Sequence, residues 1–328
     1  MEQEERLLNP SPRFTVALAA IDDYATIEQA HLCLEAQTIH PELEIQFICR
    51  SIELLALPPG FRERYPDIVI IQGGEGLLLN EAREIGIQKA NAPYVLILED
   101  HCLPYPDCLE HMLHRLEEGW SAVGPGFVSG NQSSQLGIAA NLLTYGEWMG
   151  YEEGEKRDFI AGFNSAFPTE LLKARGERLC EDMVTPSTLQ QSLARDGKQF
   201  WFEAKAVMAH WESSTYAGVR QILVKNGRAM GLLRARAWSL PRKVLWTFAS
   251  PLLMGYRFLR SANTWRRVGG CSFRSLLHLA PLSVLWTLGE VQGYWSDDRQ
   301  AAIEGSSEVE RNRQRYVDAE NEPIRKPY

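Results

Sequence analysis

Three polar groups stand out in this sequence by residue type and by what precedes them. Glu99, Asp100 and His101 follow the apolar run YVLIL at 94–98. Glu181 and Asp182 open the stretch EDMVTPSTLQQSLARDG at 181–197. His210 ends the run KQFWFEAKAVMAH at 198–210. Carboxylate oxygens combined with imidazole nitrogen suit Mg2+ or, better with histidine present, Mn2+. Such an ion, acting as a Lewis acid on a departing diphosphate, contributes on the order of several kcal/mol. A separate carboxylate can take the proton of an attacking hydroxyl. One acidic cluster for a leaving group and another for a nucleophile is the layout that group transfer needs.

The elements that must position these groups follow from the apolar pattern. FTVALAA (14–20), LEIQFIC (43–49), PDIVIIQ (66–72), PYVLILED (93–100) and WSAVGPGFV (120–128) read as strands. TIEQAHLCLEAQ (26–37), GLLLNEAREIGIQKAN (76–91) and PDCLEHMLHRLEEG (106–119) read as helices between them. Alternation of this kind predicts an α/β fold with parallel pairing and a sheet covered on both faces. Ligands of such sheets gather at the carboxyl ends of the strands, which is where Glu99, Asp100 and His101 fall. KQFWFEAKAVMAHWE (198–212) reads as one or two further strands.

The matching segments, in this order, resemble a family 2 glycosyltransferase with the GT-A fold, a Rossmann-like, mostly parallel mixed sheet. NEAREIGIQKANAPYVLILEDHCLPYPDCLEHML (80–113) resembles the family's helix, strand and D-x-D region. AGFNSAFPTELL (161–172) resembles its acceptor loop, residues 181–197 its ED motif, and AVMAHWE (206–212) the strand that ends in histidine. The resemblance covers about residues 13–212. It implies inverting transfer of a sugar from a nucleotide-diphosphate donor to a hydroxyl, with a saccharide or lipid-linked acceptor and a role in cell-surface glycan or polysaccharide synthesis. It assigns Asp182 as the base, with Glu181 beside it. Ala20, Asp22, Arg83, Glu99, Asp100 and Asn164 are assigned to the nucleotide-sugar, and Glu99, His101 and His210 to a divalent cation. The two D-x-D positions are Glu99 and His101 here rather than aspartates. Glutamate keeps the charge and reaches farther, while histidine binds Mg2+ poorly, so the expectation shifts to Mn2+ or to a chemistry that leans less on metal. CRS (49–51) stands where the family commonly reads the base with an acid.

Charge divides the chain. The net charge of −8 argues against nucleic acid as main partner. Residues 213–289 hold 12 Lys and Arg and no Asp or Glu, which leaves 22 basic against 42 acidic residues elsewhere. Within them lie VLWTFASPLLMGYRFL (244–259) and SLLHLAPLSVLWTLG (275–289), each with a proline and each shorter than the roughly 20 residues that a spanning helix needs. Apolar faces with Trp and Arg suit helices lying in an anionic membrane interface, at the cytoplasmic face. A helical subdomain packed in a cytoplasmic protein is the alternative. The expected domains are a flexible arm (1–12), the GT-A domain (13–212), the basic helical segment (213–295) and a charged tail (296–328).

Other features read as structural. The six cysteines form no C-x-x-C pair and predict free thiols. QGGEG (72–76) lacks the dinucleotide or phosphate-loop spacing and reads as a loop. His111 and His114 read as surface histidines on a helix, and NQS (131–133) matches a glycosylation sequon without a basic, apolar leader at the start of the sequence. A catalytically silent binding or scaffold protein of the same fold is the second functional expectation. A dinucleotide-binding dehydrogenase is disfavoured because no glycine fingerprint follows the first strand.

Overall fold

The apolar runs of the first half become strands because each is short, rich in β-branched or large apolar residues, and bounded by turn residues. The computed structural model describes residues 11–21 and 23–298, with 300–301, 304–305, 307–308, 324 and 327–328. Asp22, most of the expected arm and most of the tail lie outside the described residues. The chain divides into two compact units. One comprises Met1–Gly126, Tyr151–Ala209 and Arg325–Tyr328; the other comprises Phe127–Gly150 and His210–Ile324. Relative to the linear division expected at residue 212, Phe127–Gly150 joins the C-terminal helices.

In the first unit the order is β1 (Phe14–Ala19), α1 (Tyr24–Glu35), β2 (Leu43–Cys49), α2 (Ile52–Leu55), α3 (Phe61–Arg64), β3 (Val69–Gln72), α4 (Leu79–Lys89), β4 (Tyr94–Leu98), β5 (Cys102–Pro104), α5 (Cys108–Glu117) and β6 (Ala122–Ser129). After α6 (Gln135–Thr144), which belongs to the second unit, come β7 (Glu155–Arg157), β8 (Ala166–Pro168), α7 (Thr169–Lys173), α8 (Arg178–Asp182), α9 (Pro186–Arg195) and β9 (Phe200–His210). The sheet order is β3-β2-β1-β4-β8-β6-β9-β5, with β7 on β9. β1, β2, β3 and β4 pair in parallel, as the strand–helix alternation predicts. β8 runs antiparallel to both β4 and β6.

Phe14, Val16, Leu18, Phe47, Ile48, Val95, Leu96 and Ile97 are fully buried along the central strands. His31 of α1 is buried among Phe47, Phe61 and Tyr65 and shares a 2.8 Å hydrogen bond with the Tyr24 hydroxyl. Desolvation lowers its pKa to about 4, so it is a neutral core side chain. The six cysteines are free, as expected, and burial pushes the thiols of Cys102 and Cys108 well up.

The second unit is helical: α6, then α10 (Tyr216–Ala235), α11 (Leu240–Phe248), α12 (Ser250–Val268) and α13 (Phe273–Tyr294). α10 and α13 approach closely because each carries glycines four apart, Gly227 and Gly231 against Gly289 and Gly293. A Cβ at Gly227 would stand 2.6 Å from the Trp286 carbonyl oxygen, so no larger residue fits without moving a helix. The same pair encloses a charge. Glu290 is buried and ion-paired with both Arg234 and Arg257, and Arg257 also donates to Thr287 at 2.9 Å. The segment after α6 joins this bundle through α12. The Thr264 hydroxyl donates to the Gly146 carbonyl at 3.0 Å, and Arg267 donates to the Met149 and Gly146 carbonyls at 2.8 and 2.7 Å.

Candidate active site

The first unit gathers its polar groups where β4 ends. The backbone at Ile97 and the segment just before β8 exchange hydrogen bonds, Asn164 N–H to Ile97 at 2.7 Å and Ile97 N–H to Ser165 at 3.3 Å. This carries Asn164 alongside Glu99. Asn164 sits in the left-handed region at φ 61°, which asparagine tolerates better than most residues, and is fully buried. Its amide then grips Glu99 twice. The Asn164 Oδ1 accepts from the Glu99 N–H at 2.9 Å, and its Nδ2 donates to Glu99 Oε2 at 2.7 Å.

The other carboxylate oxygen of Glu99 faces Arg83 of α4, with Nη2 to Oε1 at 3.6 Å. Arg83 is buried, lies over the Phe163 ring at 3.5 Å and donates to the Met183 carbonyl at 3.4 Å. One guanidinium therefore touches both the Glu99 carboxylate and the segment directly after Glu181 and Asp182. It ties Glu99 to the backbone that directly follows the second acidic pair, about 80 positions farther along the sequence. Asn80, one turn earlier on α4, adds a second tie by donating to the Cys180 sulfur at 3.2 Å.

His101 Nε2 stands 3.9 Å from Glu99 Oε2, and His101 Nδ1 lies 2.7 Å from Asp100 Oδ1. A carboxylate can only accept, so Nδ1 donates to Asp100 and Nε2 turns to the Glu99 side. A carboxylate orienting a histidine in this way is the usual backing of a metal-binding imidazole. The oxygen and nitrogen donors of Glu99 and His101 thus fit a Mn2+-like ion. Asp100, expected at the nucleotide-sugar, turns a carboxylate oxygen to His101.

Asp182 is buried and its Oδ2 accepts from Arg175 Nε at 2.9 Å. Arg175 also holds Asp196 at 2.5 Å and the Ser192 hydroxyl on α9. Burial raises the Asp182 carboxyl above its usual range, and Arg175 opposes that rise. Glu181 is partly exposed. Ala20, expected to face the nucleotide, is buried, and its N–H extends the β1–β2 ladder by donating to Ile48 at 2.8 Å. Arg50 of the CRS stretch braces the loop after β1 by donating to the Ile21 carbonyl at 2.8 Å.

His210 belongs to the second unit and has its own framework there. It is fully buried, its Nδ1 lies 2.8 Å from Asn141 Oδ1 on α6, and its ring lies 3.9 Å from that of Tyr145. Asn131 fixes the polarity of this chain. Its Oδ1 accepts the Glu212 N–H at 2.8 Å and its Nδ2 donates to the Glu212 carbonyl at 3.0 Å. The Asn131 Oδ1 can then only accept from Asn141 Nδ2, at 2.9 Å, which turns Asn141 Oδ1 to His210. His210 therefore donates from Nδ1 to Asn141, which fixes the orientation of its ring. Asn131 is buried with its amide in use, so the NQS sequon is built into the fold.

Sequence reading had missed Arg175, Gln190, Asn131 and Asn141. Gln190 is buried and grips both backbone groups of Ile160, with Ile160 N–H donating at 2.9 Å, and so anchors the loop that carries Asn164. The available signal was amphipathic mismatch, a polar residue at a buried helical position, as for Asn141 in QLGIAANLLT.

The sequence model of the family described as "Glycosyl transferase family 2" matches residues 53–176. No curated protein matches the chain. The solved structure "Mannosyltransferase PcManGT from Pyrobaculum calidifontis in complex with GDP-Man and Mn2+" is 14% identical, with a TM-score of 0.53 over 88% of this chain and 89% of that one. At that identity the likeness carries the fold. "Crystal structure of GalNAc-T7 with UDP, GalNAc and Mn2+" is 13% identical over 60% of this chain, at a TM-score of 0.45, below the level that establishes a shared fold. The chain spans 42% of the length of that protein. The family match runs from α2 to just past α7, through Glu99 and Asn164, so this stretch is similar to glycosyl transferase family 2, and the chain has the GT-A fold.

Proposed function

We propose that the domain is catalytically active and moves a sugar, with inversion, from a nucleotide-diphosphate donor to a hydroxyl of a saccharide or lipid-linked acceptor. The proposal extends to cell-surface glycan or polysaccharide synthesis as its setting. One observation carries the reading: Arg83 bridges the Glu99 carboxylate and the Met183 carbonyl, which couples a diphosphate-type pole to the ED segment in one unit. A buried guanidinium is suited to a diphosphate, because its charge is fixed and its donors are forked. The mannosyltransferase from Pyrobaculum calidifontis, which shares the fold, binds GDP-Man and Mn2+.

In this reading Asp182 takes the proton of the acceptor hydroxyl, and the oxygen attacks the anomeric carbon opposite the diphosphate. Burial, by raising the Asp182 carboxyl, moves it toward the range where a base works best at neutral pH. Arg175 holds that carboxylate in one orientation. Glu99 and His101 would hold a divalent cation, which when bound supplies charge to the departing phosphate.

The ion pair of Asp182 with Arg175 also favours a second reading, a protein that binds the donor and does not turn it over. Thermal-shift titration with UDP, GDP and TDP, with and without Mn2+, followed by donor hydrolysis with the matching sugars, separates the two. Stabilisation by one nucleotide with release of the sugar supports transfer. Stabilisation without release supports the binder. No stabilisation by any nucleotide under either condition overturns both.

A further inference from the structure

The helices α11, α12 and α13 are built inside out relative to ordinary surface helices. On α12 and α13 the inward positions hold Ser261, Thr264, Ser275, Ser283, Thr287 and the ion-paired Glu290 beside the buried Leu279 and Leu282, while α11 buries no residue fully. Their outward positions are large and apolar. On α12, Leu252, Tyr256 and Leu259 recur at helical spacing and are exposed, Leu252 at 78%. On α13 the same holds for Phe273, Leu277, Val284 and Leu288, and on α11 for Leu245 and Phe248, the latter 81% exposed. Soluble monomers seldom leave so many neighbouring large apolar side chains in water.

We propose that these outward faces form a surface that seats in the interface of an anionic lipid membrane. Charge decides the occupant. The exposed cations Arg242, Arg266 and Arg274 lie on the same helices, and residues 213–289 contain no acid to neutralise them. A second copy of the chain would set these arginines against their like, which is unfavourable, whereas anionic headgroups complement them. Trp238 and Trp246 stack at 5.8 Å, Arg242 lies over Trp238 at 4.9 Å, and Trp295 is exposed beside α11, donating to Thr247 at 2.9 Å. Rings of this kind, apolar with a polar edge, suit the headgroup level. Among the described residues no helix is long and apolar enough to cross a membrane, so the helices would lie in the plane of the interface. This inference is independent of the donor chemistry proposed above.

Flotation of the full chain with vesicles of phosphatidylcholine alone or mixed with phosphatidylserine tests it. The chain should float with the mixed vesicles at low salt and be released as salt rises. Phe248→Glu with Leu252→Glu, both solvent-facing, should abolish flotation while leaving the circular dichroism and the nucleotide-induced thermal shift unchanged. Arg242→Gln, Arg266→Gln and Arg274→Gln together should weaken binding about a hundredfold, near fivefold for each cation. A chain that stays in solution with anionic vesicles at low salt overturns the proposal. So does flotation indifferent to the double glutamate variant, or a self-associated chain that this variant dissociates.

Discussion

Glu99 and Glu290 are both nearly buried acids that meet arginine, yet their surroundings differ in kind. Glu99 lies at a strand end, held by an asparagine amide and within reach of a histidine and of Arg83, which itself spans two segments distant in sequence. Glu290 lies mid-helix, closed in by two arginines and by the glycine-lined approach of α10. The first arrangement keeps varied donors and acceptors on one small site, as ligand recognition requires. The second satisfies a charge completely inside a helical bundle, which leaves the outer faces of the neighbouring helices to apolar side chains. An ion pair of itself is therefore no sign of a functional site; what surrounds the pair decides.

The sharpest way to break this comparison is Asp182→Asn. It should lower turnover by about two to four orders of magnitude and leave nucleotide affinity nearly intact, read by single-turnover kinetics beside calorimetry. Turnover equal to the parent would remove Asp182 from the base role and reduce its pair with Arg175 to a fastening of α9.

Glu290→Gln should act on the other side of the comparison. Breaking a buried ion pair leaves uncompensated arginines and should cost about 3 kcal/mol in denaturant unfolding. The nucleotide-induced thermal shift should survive at temperatures where the variant is folded. A loss below 0.5 kcal/mol, on the scale of an ordinary surface change, would mean that the bundle does not depend on this charge.

Acid should weaken the first unit through a third group. His31 binds its proton in the folded state only near pH 4, against 6.5 for the unbound reference, so the unfolded chain takes up more protons between these values. Stability then falls as pH drops through that window, by about 2 kcal/mol between pH 7.5 and 5. His31→Phe should flatten this slope in urea titrations at the two pH values.

Smaller effects sharpen the picture of the site. Arg83→Lys keeps the charge but loses the fork and the planar stacking on Phe163, and should weaken nucleotide binding about tenfold by calorimetry. Unchanged affinity would mean that the bridge between Glu99 and Met183 is structural alone. Asn141→Leu removes the acceptor of the His210 Nδ1 hydrogen bond and should destabilise the second unit by about 1–3 kcal/mol in denaturant unfolding.

The strands, their alternation with helices and the placement of Glu99 at a strand end were legible in the sequence, because periodicity and chain direction are local properties. The close apposition of α10 and α13, through two pairs of glycines four apart, came only with the structure, because nothing in the linear order says which helices meet. Tertiary structure alone decided that Arg83 ties Glu99 to the backbone after Asp182, that Asp182 is gripped by Arg175, that Asp100 backs His101, and that Phe127–Gly150 belongs with the C-terminal helices. It also decided that Phe248, Leu252, Tyr256, Leu259, Leu277 and Leu288 turn outward while Ser275, Ser283 and Thr287 turn inward beside Leu279 and Leu282. The physical reason is common to all of these. A side chain's partner is chosen by burial and by the need to satisfy every hydrogen-bonding group out of water, and both are set by residues far away in the chain.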